Sequence, residues 1–280
     1  MNQEAHDSYN QNGYTVVPAL FSGDETAVLR DHFMALRAGG PYPGDYDGLN
    51  APDDDPWKKY PRLIHSHRFD RISLQWLLDP RIAVCLRELL GTEPYAVQTM
   101  LYFKPPGARG QAMHQDQYYL RAEPGTCIAV WLALDDCDEE NGCLQVVPGS
   151  QRLPVLCTHQ ADPKLSFTNT AVALPPASET VPIVMKAGDA LFFHGSLIHG
   201  SDFNSSEHRF RRSLVGHYVT GDAEKVAEFY HPSYRFDGSI VELGTSLKGG
   251  SCGAFIDRDG IPVLEMVPVD SHAAAPSSAH

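Results

Sequence analysis

His114 and Asp116 stand two apart in the run Met113-His114-Gln115-Asp116-Gln117, and His199 follows far down the chain in Ile198-His199-Gly200-Ser201. Two imidazoles and one carboxylate are the ligand set of a mononuclear non-haem iron site that keeps coordination positions open. Side chains at i and i+2 of a β-strand leave the same face, so a strand through this run points both His114 and Asp116 at one ion. A second strand, arriving from across a barrel, then delivers His199. Such a centre activates dioxygen. A bare His-x-Asp is cheap in a chain with 13 histidines, and two polar residues at a strand end are its bland reading. The setting of the third histidine decides between them. Lys186 to Gly195 reads as a turn entering a buried strand, His199 follows in a Gly/Ser-flanked loop, and arginines open another strand from Arg209 to Val219. His194 and His217 are competing imidazoles, and His194 is read as a turn or core residue.

Taken in order along the chain, these motifs resemble the phytanoyl-CoA dioxygenase family of iron(II)/2-oxoglutarate oxygenases. The resemblance is carried by Gln111-x-x-His114-Gln115-Asp116, by Trp131 within Ile128–Leu134, and by Asn141-Gly142-Cys143-Leu144-Gln145-Val146-Val147-Pro148-Gly149-Ser150. Gly188-Asp189, His199-Gly200-Ser201 and the Arg211-bearing strand complete it, from about Gly13 to Val219. It implies Fe(II) on His114, Asp116 and His199, with 2-oxoglutarate and O2 as co-substrates. Asp116, where related halogenating enzymes carry a small residue, argues for hydroxylation or another oxidation.

The far carboxylate of the oxo acid needs a cation, and a planar, always-charged guanidinium meets it in bidentate fashion. Arg209, Arg211 and Arg212 are the candidates. By the family's spacing the arginine falls at position 210, where this chain has Phe210. Aligning Gly216-His217-Tyr218 with the matching family strand implies one inserted residue and selects Arg211. Alternation agrees, because Arg211, Ser213, Val215 and His217 share a face of a strand, and Arg212 then points away. The resemblance further suggests Ser201 as a hydroxyl assisting that carboxylate and Gln111 as an amide near the metal-side one. Trp131 and Tyr102 are expected as walls of the co-substrate pocket, although strand aromatics are more often plain core. Tyr118, Tyr119 and the 41–61 loop are positional guesses for substrate contacts.

The elements that must position these groups follow from pattern. Ser22 with Glu25 is a capping box, opening a helix with Leu29, Phe33 and Leu36 on one face and Gly39-Gly40 at its end. Pro41 to Pro61 lacks periodicity and reads as an irregular loop, either a lid or plain solvated chain. Helices are expected at Ser73–Leu78 and Pro80–Leu90, the second with Asp79 as N-cap and Pro80 at its first position. Strand signals fall at Tyr95–Phe103, Cys127–Leu134, Leu144–Val147, Ile183–Met185, Leu191–Phe193 and Leu214–Val219, with Asn141-Gly142 a candidate hairpin turn. Gln151 to Thr180 reads as a long insertion rimming the pocket, and Ala223–Phe229 as a short helix. Helices first and strands after suggest an α+β, mainly β fold, a double-stranded β-helix (jelly-roll, cupin-like) barrel with flanking helices. One domain is expected over residues 1–269, with a disordered tail at 270–280.

The chain has 280 residues, 42% of them apolar, and a net charge of −13, which argues against nucleic acid or an anionic membrane as partner. A small-molecule substrate, an amino-acid derivative or natural-product intermediate, is the expectation; a bulky polyanion would need local cations such as Arg62, Arg68 and Arg71. The six cysteines (Cys85, Cys127, Cys137, Cys143, Cys157, Cys252) form no C-x-x-C pair and read as reduced thiols. With no signal-peptide-like start and no apolar run of spanning length, a cytoplasmic protein is expected. Nothing in the sequence speaks to oligomeric state. The competing function class is a cupin-like non-redox metal isomerase or small-ligand-binding barrel, which would keep the three metal donors but would not need Arg211.

Overall fold

The computed structural model describes residues 1–48, 51–247 and 250–269; the expected tail lies outside them. Two antiparallel sheets face each other. The larger runs Tyr14–Val17, Ala190–His194, Cys127–Ala133, Ser213–Val219, Tyr95–Tyr102, Ser233–Tyr234 and Ile240–Val241, with Arg62–Ile64 and Asp45–Tyr46 branching from Tyr95–Tyr102. The smaller runs Val181–Ile183, Leu144–Val146, His199–Ser201 and Gln111–His114. This is the expected jelly-roll arrangement, mainly β with a few flanking helices, although the two sheets do not close into a continuous barrel.

The central strands of the large sheet are buried along their whole length because both faces are covered, which is why they read as unbroken apolar runs. Their side chains divide by parity. Ile128, Val130, Leu132 and Leu134 pack with Phe33, Trp76, Ile82 and Leu86 under the helices. Ala129, Trp131 and Ala133 face the other sheet, among Met100, Tyr102, Leu144, Val146 and Phe193. The alanines on either side of Trp131 leave room for the indole, and that second layer holds the site.

The helices form where capping and periodicity place them. Ser22 caps Gly23–Gly39 with both capping-box bonds present, Ser22 N–H to Glu25 at 2.8 Å and Glu25 N–H to Ser22 Oγ at 3.2 Å. Asp79 accepts from Arg81 N–H at the start of Pro80–Leu90. The preceding helix begins earlier than expected, at Arg71, because Asp70 accepts from the Ser73 amide.

Several expectations are corrected. One element had no expectation attached: the first residues form a helix, Gln3–Asn12, capped by Asn2, whose polar composition gives little apolar stripe to read. The 41–61 segment contains a strand, Asp45–Tyr46, and a short helix, Pro56–Lys59, anchored by buried Trp57, whose Nε1 donates to Arg109 O. Ala223–Phe229 does not form the expected helix: it holds a two-residue strand, Lys225–Val226, and only its last two residues enter a 3-10 turn, Glu228–Tyr230. Its amides are already engaged, Lys225 N–H with Glu123 O and Ala227 N–H with Leu120 O, so tertiary pairing overrides the local signal. Asn141-Gly142 makes a turn but no hairpin, because its flanking strands belong to different sheets. Buried Asn141 bonds Asp136 O and Phe210 O instead.

Of the six cysteines, Cys85, Cys127, Cys137 and Cys143 are free and buried, as read. Cys157 and Cys252 are joined in a disulfide, against expectation. They are 95 positions apart, so no spacing could announce the pair. What brings them together is the C-terminal hairpin Gly250–Arg258/Ile261–Val269 laid beside the insertion, with Leu156 bridged to Gly253.

Candidate metal centre

His114 and His199 are directly opposed Cα partners on neighbouring strands of the small sheet, so their side chains emerge on one face side by side. The third histidine therefore comes from the next strand, not from across a barrel. Asp116 also differs from expectation. The strand ends at His114, and Asp116 sits in helical conformation as the N-cap of the turn Gln117–Leu120, without a capping bond of its own. Its carboxylate is thereby free to face the imidazoles. Gln115, fully buried between the two, locks this bend by donating to Ser196 O at 2.8 Å and accepting from Leu156 N–H at 2.7 Å.

One ligand atom from each of His114, Asp116 and His199 lies within 4.8 Å of the others. Asp116 Oδ1 is 3.5 Å from His114 Nε2 and 3.7 Å from His199 Nε2. Each Nδ1 meets a backbone carbonyl, Ala112 O at 2.9 Å and Leu197 O at 3.0 Å. That contact places the proton on Nδ1 and turns the Nε2 lone pair toward the shared point. Burial, then the neighbouring His114, pushes His199 down to about 4, so it is neutral near pH 7. Burial pulls the Asp116 carboxyl up, but His199, His217 and hydrogen bonds from His114 and His217 outweigh it and hold the acid well below its usual range. Two imidazoles and one carboxylate, all buried, fit a divalent ion.

The large sheet supplies the opposite wall: Tyr102, Trp131, Arg211, Val215 and His217 line the pocket with the three donors, Gln111 and Ser201. The three neighbouring arginines separate cleanly. Arg212 grips Asp135 through two bonds of 2.7 and 2.8 Å, and Arg209 pairs with Asp138 and Glu140. Arg211 alone turns inward, its Nε on Gly142 O at 3.1 Å and its guanidinium 5.3 Å from the Trp131 ring and 6.0 Å from that of Tyr102. No ion pair joins it to a carboxylate among the described residues. The shared face of Arg211, Ser213, Val215 and His217 is as alternation predicts, although the strand begins only at Ser213.

Gln111 Nε2 approaches His114 Nε2 at 3.1 Å, and its amide oxygen accepts from Tyr102 OH at 3.4 Å. Ser201, opposite Gln111 in register, accepts at Oγ from Lys104 Nζ (3.0 Å) and Gln111 N–H (3.3 Å). With both lone pairs engaged, its own proton is left to point elsewhere. Tyr118 and Tyr119 bond outward to Thr158 and Thr170 of the insertion, and Tyr119 stands edge-on to His114 at 6.3 Å.

Two neighbours of the site escaped sequence reading. Lys104 is fully buried, held by Gly142 O, Ser201 Oγ and Asp202 O, and burial followed by Arg211 pushes its ammonium well below the ordinary lysine range. A lysine inside a Pro-Gly turn carries no sign of this. His217 was read only as a competing imidazole; it bonds Asp116 Oδ2 through Nε2 at 3.0 Å. Its place on the Arg211 face was the signal that could have found it.

The Phytanoyl-CoA dioxygenase (PhyH) family matches residues 9–213, most of the chain. The chain belongs to that family. It is a 2-oxoglutarate-dependent dioxygenase, and its buried His-Asp-His cluster offers the donors for an iron ion. Phytanoyl-CoA dioxygenase 1 of Oryza sativa subsp. japonica is 27% identical over 71% of this chain and 82% of its own. The peroxisomal phytanoyl-CoA dioxygenase of Rattus norvegicus is 27% identical over 80% of this chain and 70% of its own. Among solved structures, EctD from S. alaskensis, crystallised with 2-oxoglutarate and 5-hydroxyectoine, superposes with a TM-score of 0.62 at 23% identity, over 80% of this chain and 78% of its own. The epimerase SnoN, in complex with Fe3+, alpha ketoglutarate and nogalamycin RO, gives 0.63 at 20% identity, over 88% and 95%. These structural likenesses establish the shared fold. No helix among the described residues is long and apolar enough to cross a membrane.

Proposed function

We propose that this oxygenase hydroxylates an unactivated C–H bond of a small molecule, an amino-acid derivative or natural-product intermediate, while 2-oxoglutarate is converted to succinate and CO2. Fe(II) bound by His114, Asp116 and His199 supplies dioxygen activation. The rest falls to the chain. Arg211 meets the far carboxylate of the oxo acid, and Ser201 turns its free proton to the same group. Gln111 attends the metal-side carboxylate, and Trp131 and Tyr102 wall the co-substrate and exclude water. Asp116 keeps one protein carboxylate on the metal, which favours hydroxyl transfer over halogenation. The proposal takes residues 1–269 as one domain acting in the cytoplasm. Placement there draws support from four buried free thiols, and the Cys157–Cys252 disulfide weighs against it.

The observation that carries this reading is the inward Arg211, with no carboxylate paired to it among the described residues, facing a His-Asp-His cluster from the opposite sheet. A non-redox metal isomerase in a similar barrel has no use for that guanidinium. The test is succinate release by purified protein given Fe(II), ascorbate and 2-oxoglutarate, slow without substrate and accelerated by a true one, with mass addition of one oxygen to the product. His114→Ala should abolish it. Failure of the protein to bind 2-oxoglutarate under anaerobic Fe(II) would move the assignment to the isomerase class.

A further inference from the structure

Arg62 is fully buried, and among the described residues no carboxylate meets its charge. One nitrogen donates to Tyr102 OH at 3.0 Å, while Nε and Nη2 have no hydrogen-bond partner among the described residues. The rings of Tyr46, Phe167 and Tyr102 stand 4.8, 5.1 and 5.3 Å from the guanidinium carbon. Native interiors pair nearly every buried polar group, and an unmatched guanidinium is among the costliest exceptions.

The surroundings place this charge beside the metal donors. Tyr102 lines the pocket and touches Gln111. Tyr119 packs edge-on to His114, and Tyr230 packs on His65, three residues beyond Arg62. His65 is buried too, and among the described residues neither of its ring nitrogens nor His217 Nδ1 has a hydrogen-bond partner. Unspent hydrogen-bonding groups thus gather on one side of the metal donors, and one of them carries a permanent positive charge.

Resting on the oxygenase reading above, we infer that Arg62 receives an anionic oxygen group, a carboxylate or phosphate, on the prime substrate. The aromatic rings hold the guanidinium and keep water out, which strengthens its grip on an arriving anion. His65, kept neutral by burial, adds a hydrogen-bonding position. The substrate is then a compact, oxygen-bearing acid, and a plain hydrocarbon chain would leave these groups unsatisfied. The oxo acid also carries carboxylates, so the test must tell the two anions apart.

The full chain under anaerobic Fe(II) is titrated first with 2-oxoglutarate. At saturating 2-oxoglutarate it is then titrated with benzoate and phenyl phosphate as anionic probes and with benzamide as the uncharged isostere, all read by tryptophan fluorescence. Wild type should bind at least one anionic probe about tenfold or more tighter than benzamide. Arg62→Gln should erase that preference while leaving the dissociation constant for 2-oxoglutarate within about twofold. Should the Gln variant fail to fold, Arg62→Lys carries the test, keeping the charge but losing the planar fork and most of the preference. Equal binding of benzoate, phenyl phosphate and benzamide to wild type overturns the inference, as does a variant that weakens 2-oxoglutarate alone, since the guanidinium then serves the co-substrate. A wild type that binds no 2-oxoglutarate removes the oxygenase reading and this inference with it.

Discussion

His217 Nε2 lies 3.0 Å from Asp116 Oδ2, while Asp116 Oδ1 faces His114 and His199. The two oxygens of one carboxylate are thus divided between a bond to the large sheet and the donors of the small one. This fixes the carboxylate plane and leaves a single oxygen for a metal.

Removing that bond should loosen the metal rather than the fold. His217→Phe is expected to weaken Fe(II) binding roughly tenfold, the lower range for loss of a hydrogen bond to a ligating carboxylate, with His217→Gln recovering part of it. The iron dependence of succinate formation measures this. An unchanged iron requirement in the Phe variant would mean that Asp116 is held by other means.

Arg211 and Arg212 are adjacent yet do opposite things, so they form a matched pair of tests. Arg211→Ala should raise the 2-oxoglutarate requirement roughly 100-fold, as expected when one partner of a buried charged contact is lost. Arg212→Ala should leave it unchanged, because its bonds go to Asp135. Equal effects of the two would contradict the assignment of the far carboxylate to Arg211.

Much of this was legible in advance because it rests on short-range periodicity. Ser22, Asp79 and the apolar runs of the large sheet announce their elements, and alternation from Arg211 to His217 picks the inward arginine. The triad residues are visible as types, but their convergence depends on register between distant strands and on a helical bend at Asp116, which no local pattern encodes. Lys104 and the Cys157–Cys252 bond were unreadable for the same reason: only tertiary contacts give them meaning.

Lys104 offers a test of that hidden layer. Its ammonium and the Gln111 amide occupy the acceptor sites of Ser201, orienting the hydroxyl. Lys104→Met should raise KM for 2-oxoglutarate roughly tenfold while changing kcat less. Adding Ser201→Ala should cost little more, since the two act as a unit. Additive losses would show that Lys104 acts independently of Ser201.

His65 and His67 make the protein acid-sensitive. Burial drives them down to about 2 and about 3, from an ordinary 6.5 in the unfolded chain. Below pH 6.5 the unfolded state binds more protons than the folded one, so stability falls with falling pH; above it these residues contribute nothing. The slope is at most about 1.4 kcal/mol per pH unit for each histidine. The melting temperature of metal-free protein should therefore drop between pH 7 and about 4.5, and His67→Asn should flatten the decline. An identical slope in the variant would assign acid lability elsewhere.

The direct opposition of His199 and His114 has one more consequence. Because side chains alternate strictly along a strand, pairing slipped by a single rung turns one imidazole outward and leaves too few donors to hold an ion. Molecules threaded wrongly are then blind to iron. The number of ferrous ions taken up per polypeptide becomes a tally of correctly assembled chains, readable without any knowledge of what the enzyme oxidises.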